Sequence, residues 1–276
     1  MARKVWFITG ASRGFGVLVA ERALAKGDGV VATARNPKAI GERFGDHPNL
    51  LAVALDVTIE DQAAAAAQAA IDRFGKIDVL TNNAGFGLMG AVEEASAAEI
   101  EAVYRTNVFG LLTVSRAVLP YMRKARSGRV LNISSIGGYR GAVGFGVYSS
   151  TKFAVEGLSE AIHDELAPLG IHVTVIEPGA FRTDFLDESS LSVSSRQIPD
   201  YAATAGKVRS VPGGRNHNQL GDPSKLADVL VAFADAPNPP VRLPLGSDTV
   251  AAIEAKHKAD SLILSEWRSV SVSTDF

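Results

Sequence analysis

Tyr148 and Lys152 stand four residues apart in the stretch YSSTK, near the start of a segment that reads as a long helix. On an α-helix, residues i and i+4 share a face, with Cβ atoms about 5–6 Å apart. Two readings follow. These are ordinary residues of an amphipathic helix, or the ammonium stabilises phenolate and so lowers the pKa of the phenol. A second constellation lies near the N-terminus. TGASRGFG, residues 9–16, follows a short apolar run and opens a helical pattern. Gly10, Gly14 and Gly16 are spaced Gly-x-x-x-Gly-x-Gly. Glycines at a strand-to-helix turn let bare backbone approach a phosphate at the positive end of a helix. The competing reading is a tight turn without a ligand. A Walker loop is excluded, because no Gly-Lys-Ser/Thr follows.

These residues need elements to hold them, and the chain supplies a regular alternation. Short apolar runs at 4–9, 29–34, 50–55, 77–82, 128–134 and 171–179 predict six strands, with 241–246 a seventh. Helical patterns fall between them: GFGVLVAERALAKG, residues 59–75, two helices over 96–126, and about 20 residues from Tyr148 with apolar positions at Val155, Leu158, Ile162, Leu166 and Leu169. Strands separated by helices pair in parallel, since a parallel connection needs a crossover. Near-continuously apolar strands are those covered on both faces. The expectation is an α/β, doubly wound Rossmann fold. It has a parallel sheet of about seven strands in a three-layer α/β/α sandwich, forming one domain over 1–276. The rhythm breaks after residue 179. Residues 183–222 are rich in Ser, Gly, Pro and Asn, which predicts a substrate loop or lid at about 180–222. Asp222 and Pro223 predict the N-terminus of a further helix. A C-terminal extension at about 247–276 reads as helical, then frayed.

Composition narrows the function. The 276 residues are 46% hydrophobic with a formal net charge of −2. No basic field recruits nucleic acid. The densest basic cluster, MRKARSGR at 122–129, suits the end of a helix. With no cysteine, disulfides, thiolate metal sites and a cysteine nucleophile are excluded. The histidines at 47, 163, 172, 217 and 257 show no metal-ligand spacing, so no metal is expected. No apolar run approaches the length of a membrane span, and the N-terminal run is too short for a signal-peptide core. The expectation is a soluble cytoplasmic protein without membrane or nucleic-acid partners.

The end of the second strand bears on the choice of nucleotide. Enzymes preferring NAD place an acid there for the ribose 2′-hydroxyl. This chain has Ala34 and then Arg35, with Arg13 in the glycine turn. Two guanidiniums can fork onto a 2′-phosphate, which favours NADP(H) over NAD(H). Each alone reads equally as a solvated charge.

With TGASRGFG at 9–16, LDV at 55–57, NNAG at 82–85, RTN at 105–107, NISS at 132–135, YSSTK at 148–152 and PGAFRT at 178–183, the chain resembles a short-chain dehydrogenase/reductase over about residues 4–185. In detail it is most similar to NADP-preferring members like the 17β-hydroxysteroid dehydrogenases. The resemblance implies a catalytic tetrad of Asn107, Ser135, Tyr148 and Lys152. Tyr148 would trade a proton with the substrate oxygen, and Lys152 would lower its pKa and hold the nicotinamide ribose. Ser135, rather than its neighbour Ser134, would hydrogen-bond that oxygen. Asn107 would position a water linking Lys152 to solvent. The resemblance also implies cofactor contacts from Gly10, Ser12, Arg13, Gly14, Phe15 and Gly16 in the first turn, and from Arg35. Asp56 and Val57 would meet the adenine, though Asp56 also reads as a helix N-cap. Asn83, Ala84 and Gly85 would line the nicotinamide side, where Asn82 and Gly85 read equally as turn residues. Pro178, Gly179, Phe181 and Thr183 would close on the carboxamide and phosphates.

Phe181, Phe185, Leu186 and Leu191 give the lid apolar surface, which points to an apolar small-molecule ketone or alcohol. A 3-oxoacyl or polyketide ketone reductase shares every motif. A non-catalytic NADPH-sensing regulator is the reading from another class, and it predicts a damaged tetrad. A homo-oligomer, dimer or tetramer, is expected through the helices at about 110–126 and 148–169.

Overall fold

The structure, a computed structural model, describes residues 3–209 and 218–276. His217 and most of the glycine- and asparagine-rich part of the expected lid lie outside the described residues. The strands are β1 (Val5–Ile8), β2 (Gly29–Ala34), β3 (Leu50–Ala54), β4 (Val79–Asn82), β5 (Gly87–Met89), β6 (Gly128–Ile133), β7 (Ile171–Pro178), β8 (Leu191–Val193) and β9 (Arg242–Leu245). The longer helices are α1 (Gly14–Ala25), α2 (Lys38–Phe44), α3 (Glu60–Phe74), α4 (Ala97–Tyr104), α5 (Leu111–Ala125), α6 (Gly146–Leu166), α7 (Pro223–Phe233) and α8 (Ser247–Val272).

Seven strands form one sheet in the order β3-β2-β1-β4-β6-β7-β9, and every pairing is parallel. The strand order reverses between β1 and β4. In doubly wound sheets, the crevice outside the carboxyl ends at this point is where ligands bind. All residues of β1, β2 and β4 are buried, as their apolar runs require. One core packs Val19, Ala20, Ala23 and Leu24 of α1 and Leu226, Ala227 and Leu230 of α7 against one face. The other packs α3 and α5 against the opposite face. There the alanine run of α3 has its explanation. Ala63, Ala66, Ala67 and Ala70 recur at helical spacing and are buried, so small side chains let α3 approach closely.

The differences from expectation are local. Helix α6 begins at Gly146, ahead of Tyr148, and Leu169 falls in a separate 3₁₀ turn, Ala167–Leu169. Helices α4 and α5 run continuously through a wide π-helical turn, Arg105–Gly110, rather than breaking. Asp56 is not a helix N-cap. It accepts bonds from the Thr58 backbone N–H and hydroxyl at 2.9 and 2.7 Å, while Ile59 begins α3 without a side-chain cap. Asp222 does cap α7, accepting from Ser224 N at 2.9 Å, with Pro223 at the first position.

The lid is more ordered than its composition suggests. Its strand β8 pairs in parallel with β5, Gly87 to Leu191 through Met89 to Val193. Buried Glu94 anchors a later part. It accepts from the Ile198 backbone N–H at 2.8 Å and is ion-paired with Arg209. These bonds hold its carboxyl well below the ordinary range, at about 2. No helix among the described residues is long and apolar enough to cross a membrane.

Candidate active site

The carboxyl ends of β1, β2, β4, β6 and β7 open into one cavity of about 870 Å³. Its walls include Gly10, Ser12, Arg13, Gly14 and Phe15 from the first turn, then Arg35, Asp56 and Val57. Asn83, Ala84 and Gly85 follow β4. Ser135, Tyr148 and Lys152 lie deeper, with Pro178, Gly179, Phe181 and Thr183 opposite. Two residues expected in the site stand behind its walls, Gly16 and Asn107.

Gly10 and Gly14 have φ of 64° and 56°, the left-handed region that glycine enters without strain. A Cβ on Gly16 would sit 2.5 Å from the Gly10 carbonyl oxygen, so Gly16 permits the turn rather than lining it. The Asn83 side-chain amide donates to the Thr9 and Gly10 carbonyls at 2.9 and 3.1 Å. Thr9 Oγ1 in turn accepts from the backbone of Asn83 and Ala84. Asn83 therefore braces the glycine turn. Arg13 begins α1 with no side-chain cap bond. The first backbone N–H groups of α1 thus have neither an intrahelical nor a capping partner, which suits a diphosphate.

The two arginines differ. Arg35 is exposed on the cavity wall and makes no hydrogen bond or ion pair among the described residues. Arg13 donates to the carbonyl of Ser189 in the lid. Of the two arginines expected at a 2′-phosphate, Arg13 is thus bonded to the lid and Arg35 is not.

At the deep end, Tyr148 and Lys152 are buried on one face of α6. Ser135 caps the short turn Ile136–Gly138, accepting from Gly137 N at 3.0 Å, and shares a hydrogen bond with the Tyr148 hydroxyl. Ser134 also reaches the cavity wall, with its hydroxyl toward Glu156 beneath Gly138. Of the two serines, it is Ser135 that meets the Tyr148 hydroxyl. The expected effect of Lys152 on Tyr148 is corrected. Burial pushes the phenol up to about 12, opposed only by the Ser135 bond, and pushes Lys152 down to about 8. The Lys152 ammonium donates to the Ile133 carbonyl at 2.8 Å and lies 5.8 Å from the Tyr148 ring centroid. Desolvation is thus the dominant influence on the phenol in this geometry.

Asn107 sits in the π-helical turn, a distortion frequent at functional sites. Its amide accepts from Phe86 N at 3.0 Å and donates to Phe86 O and Thr151 Oγ1. Gly85 lies between Asn107 and Lys152. A Cβ there would be 3.0 Å from Asn107 Oδ1 and 3.8 Å from Lys152 Nζ.

Phe185, expected as apolar surface of the lid, stands 5.4 Å from the Tyr148 ring between centroids. Sequence reasoning missed other wall residues, among them Phe145, 6.2 Å from the same ring. Gln219 and Asp248 come from the far end of the chain. Asp248, in the first turn of α8, accepts from Ala180 N at 2.8 Å and so holds the loop after β7. Asp248 stands two positions after Gly246 at a helix start, a signal that was available. Phe145 carried none.

The family model for short chain dehydrogenases matches residues 4–193. The chain belongs to the short-chain dehydrogenase family. It is an NAD(P)-dependent oxidoreductase that interconverts alcohol and carbonyl groups. Among relatives of this short-chain dehydrogenase, a Bacteroides thetaiotaomicron 3-ketodihydrosphingosine reductase is 39% identical, the match covering 94% of this chain and 93% of the relative. A Streptomyces avermitilis short-chain dehydrogenase superposes with a TM-score of 0.90 at 41% identity, covering both chains in full. A Burkholderia phymatum short-chain dehydrogenase/reductase in complex with NAD gives 0.79 at 25% identity, covering 94% and 95%.

Proposed function

We propose that this short-chain dehydrogenase is an NADPH-preferring carbonyl reductase and alcohol dehydrogenase for an apolar substrate. The observation that carries the reading is the convergence of Ser135, Tyr148 and Lys152 on the deep wall of the cavity, beneath Phe145 and Phe185. The backbone of Gly10 to Phe15 would hold the diphosphate, Asp56 and Val57 the adenine, and Arg35 a 2′-phosphate. Arg13 would join Arg35 by exchanging the Ser189 carbonyl for that phosphate. A bound nicotinamide would supply or accept the hydride.

The chain's own groups handle the proton. Ser135 donates a hydrogen bond to the substrate oxygen as negative charge develops there. Tyr148, kept protonated by burial, delivers its phenolic proton to the same oxygen. Lys152 stabilises the phenolate left behind, at whatever approach the loaded site allows. Asn107 orients the backbone at Phe86 and the far side of Lys152. Phe185 and Phe145 exclude water from the phenol.

The Burkholderia neighbour is in complex with NAD, so likeness of fold does not favour NADPH, and the reading rests on the ribose pocket. Arg35, facing that pocket without a carboxylate partner, supports NADPH. Similarity to a reductase named for a 3-keto lipid base supports an apolar ketone, and a rigid steroid-like alcohol fits the same aromatic wall. A 3-oxoacyl ketone is the second reading, supported by likeness to a Brucella melitensis 3-ketoacyl-(acyl-carrier-protein) reductase, 30% identical with a TM-score of 0.72 over 88% of this chain and 96% of that one. A homo-oligomer through the face of α5 and α6 belongs to the proposal, supported by exposed Phe109 and Phe153. The test is NADPH against NADH oxidation over a panel of aliphatic, steroidal and 3-oxoacyl ketones. Faster turnover with NADH, or turnover confined to carrier-linked 3-oxoacyl substrates, overturns the preferred reading.

A further inference from the structure

Helix α8 leaves the body of the protein. Its first turns are held by Asp248 on Ala180 and by buried Thr249. The last side-chain contact with the body is made by His257, whose ring stands edge-on to Tyr139 at 5.6 Å between centroids. Every residue from His257 to the C-terminus is exposed, yet the helix continues to Val272. Fifteen helical residues beyond His257 extend it by roughly 22 Å.

This arm is not built for water. Leu262, Ile263, Leu264, Trp267, Val270 and Val272 are each between half and two-thirds exposed. At about 100° per residue, Ile263, Trp267 and Val270 fall within roughly 60° of arc, and Leu262 and Leu264 flank them on both sides. A helix apolar over so much of its girth is normally buried. Its serines at 261, 265, 269 and 271 are weaker helix formers than alanine or leucine, and most helical stability in proteins comes from packing of an apolar face. Charge argues against a lipid surface. Lys256, Lys258 and Arg268 are balanced by Asp260, Glu266 and Asp275. Anionic membranes select an excess of basic residues.

We infer that the arm of α8 is an association surface whose partner is the same arm of a second copy. The five residues on or flanking that stripe, without Val272 on the opposite side, leave on the order of 550 Å² in contact with water, toward the roughly 800 Å² per partner of a standard interface. A two-fold axis through Ile263 pairs the arms antiparallel, the self-complementary arrangement of a symmetric dimer. Counting outward from that axis, Trp267 falls opposite the partner's Ala259, a large residue over a small one. Val270 falls opposite the aliphatic stem of the partner's Lys256. This surface is distinct from the α5–α6 face and independent of the proposed chemistry.

The experiment is light-scattering mass in solution at micromolar concentration for the full chain, for Ile263→Glu and Trp267→Glu, and for Phe153→Glu on the other face. The expected result is a halved mass in both arm variants with unchanged cofactor binding, whatever Phe153→Glu does. Because the chain has no cysteine, Ile263→Cys places a lone thiol on the axis and should oxidise to a covalent dimer. Ser265→Cys, on the opposite side of the helix, should not. A monomeric wild-type chain, an unchanged mass in both arm variants, or equal cross-linking at 263 and 265 overturns the inference.

Discussion

The ring of Phe185, carried by the lid, rests on the ring of Tyr148 with centroids 5.4 Å apart and planes tilted by 52°. A residue of the substrate loop thus covers the proton donor directly and adds to the burial that raises the phenol. Phe185→Ala is expected to lower the Tyr148 pKa from about 12 toward its ordinary value. The phenolate ultraviolet difference between this variant and its Tyr148→Phe double variant measures it. KM for an apolar ketone should rise about tenfold, the order of 1–2 kcal/mol for an aromatic contact.

Tyr148→Phe should reduce turnover by about 10²–10⁴-fold, the usual size of a general-acid contribution, with cofactor affinity retained. Ser135→Ala should cost a comparable factor. Ser134→Ala should leave turnover within a few-fold, since that hydroxyl faces Glu156. Steady-state kinetics on the three variants decides it, and equal losses at 134 and 135 would reverse the assignment of the two serines.

The pH dependence of reduction has a definite sign. Burial depresses Lys152 to about 8, so its ammonium is present below that pH and lost above it. Tyr148, at about 12, remains protonated throughout. Reductive kcat/KM should therefore be flat near neutrality and fall as pH passes about 8, with Lys152 and not Tyr148 setting the limb. A profile of Lys152→Met that keeps the same falling limb removes this explanation.

Arg35→Asp should weaken NADPH and strengthen NADH, shifting the ratio of their dissociation constants by about 10²-fold, as expected when a charged hydrogen-bonding partner becomes a repulsive one. Fluorescence titration of both cofactors reads the ratio directly. A ratio that does not move places the 2′-phosphate elsewhere.

Glu156 and Glu177 are buried around Arg242, which also bonds exposed Glu160 at 2.9 Å. One guanidinium does not offset three carboxylates, and burial with the neighbouring Glu177 charge drives Glu156 upward toward neutrality. The folded state then binds its proton more tightly than the unfolded chain does. That stabilisation is complete in acid and fades as pH rises from the ordinary carboxylate range through neutrality. Relative to Glu156→Gln, the wild-type urea midpoint should decline between pH 5 and 8. A constant difference would mean that Glu156 is ionised throughout.

The layered sheet and the ends of its strands were legible because their signals are local. Buried parallel strands are continuous apolar runs, and a strand-to-helix glycine turn needs only neighbouring residues. Ser135, Tyr148 and Lys152 were legible through spacing. What escaped depends on distance in the chain. β8 is three residues whose partner, β5, lies about a hundred positions away, and neither has a strand's length of apolar pattern. Arg13 could be read as a cation but not as one already bonded to Ser189. The acidity of Tyr148 came out with the wrong sign because i,i+4 spacing fixes a shared face, not the carbonyl that Lys152 chooses or the rings that dry the phenol.

The pairing of β8 with β5 pins the lid midway, and the bridge between Phe181 and Gly221 pins its beginning. Between these anchors runs the stretch from Thr183 to Ser189, which carries both Phe185 and the carbonyl that Arg13 grips. The cofactor's phosphate end and the cover over the phenol are thus joined by one side chain, and a dinucleotide that drew Arg13 away would remove one tether from the stretch that shields Tyr148.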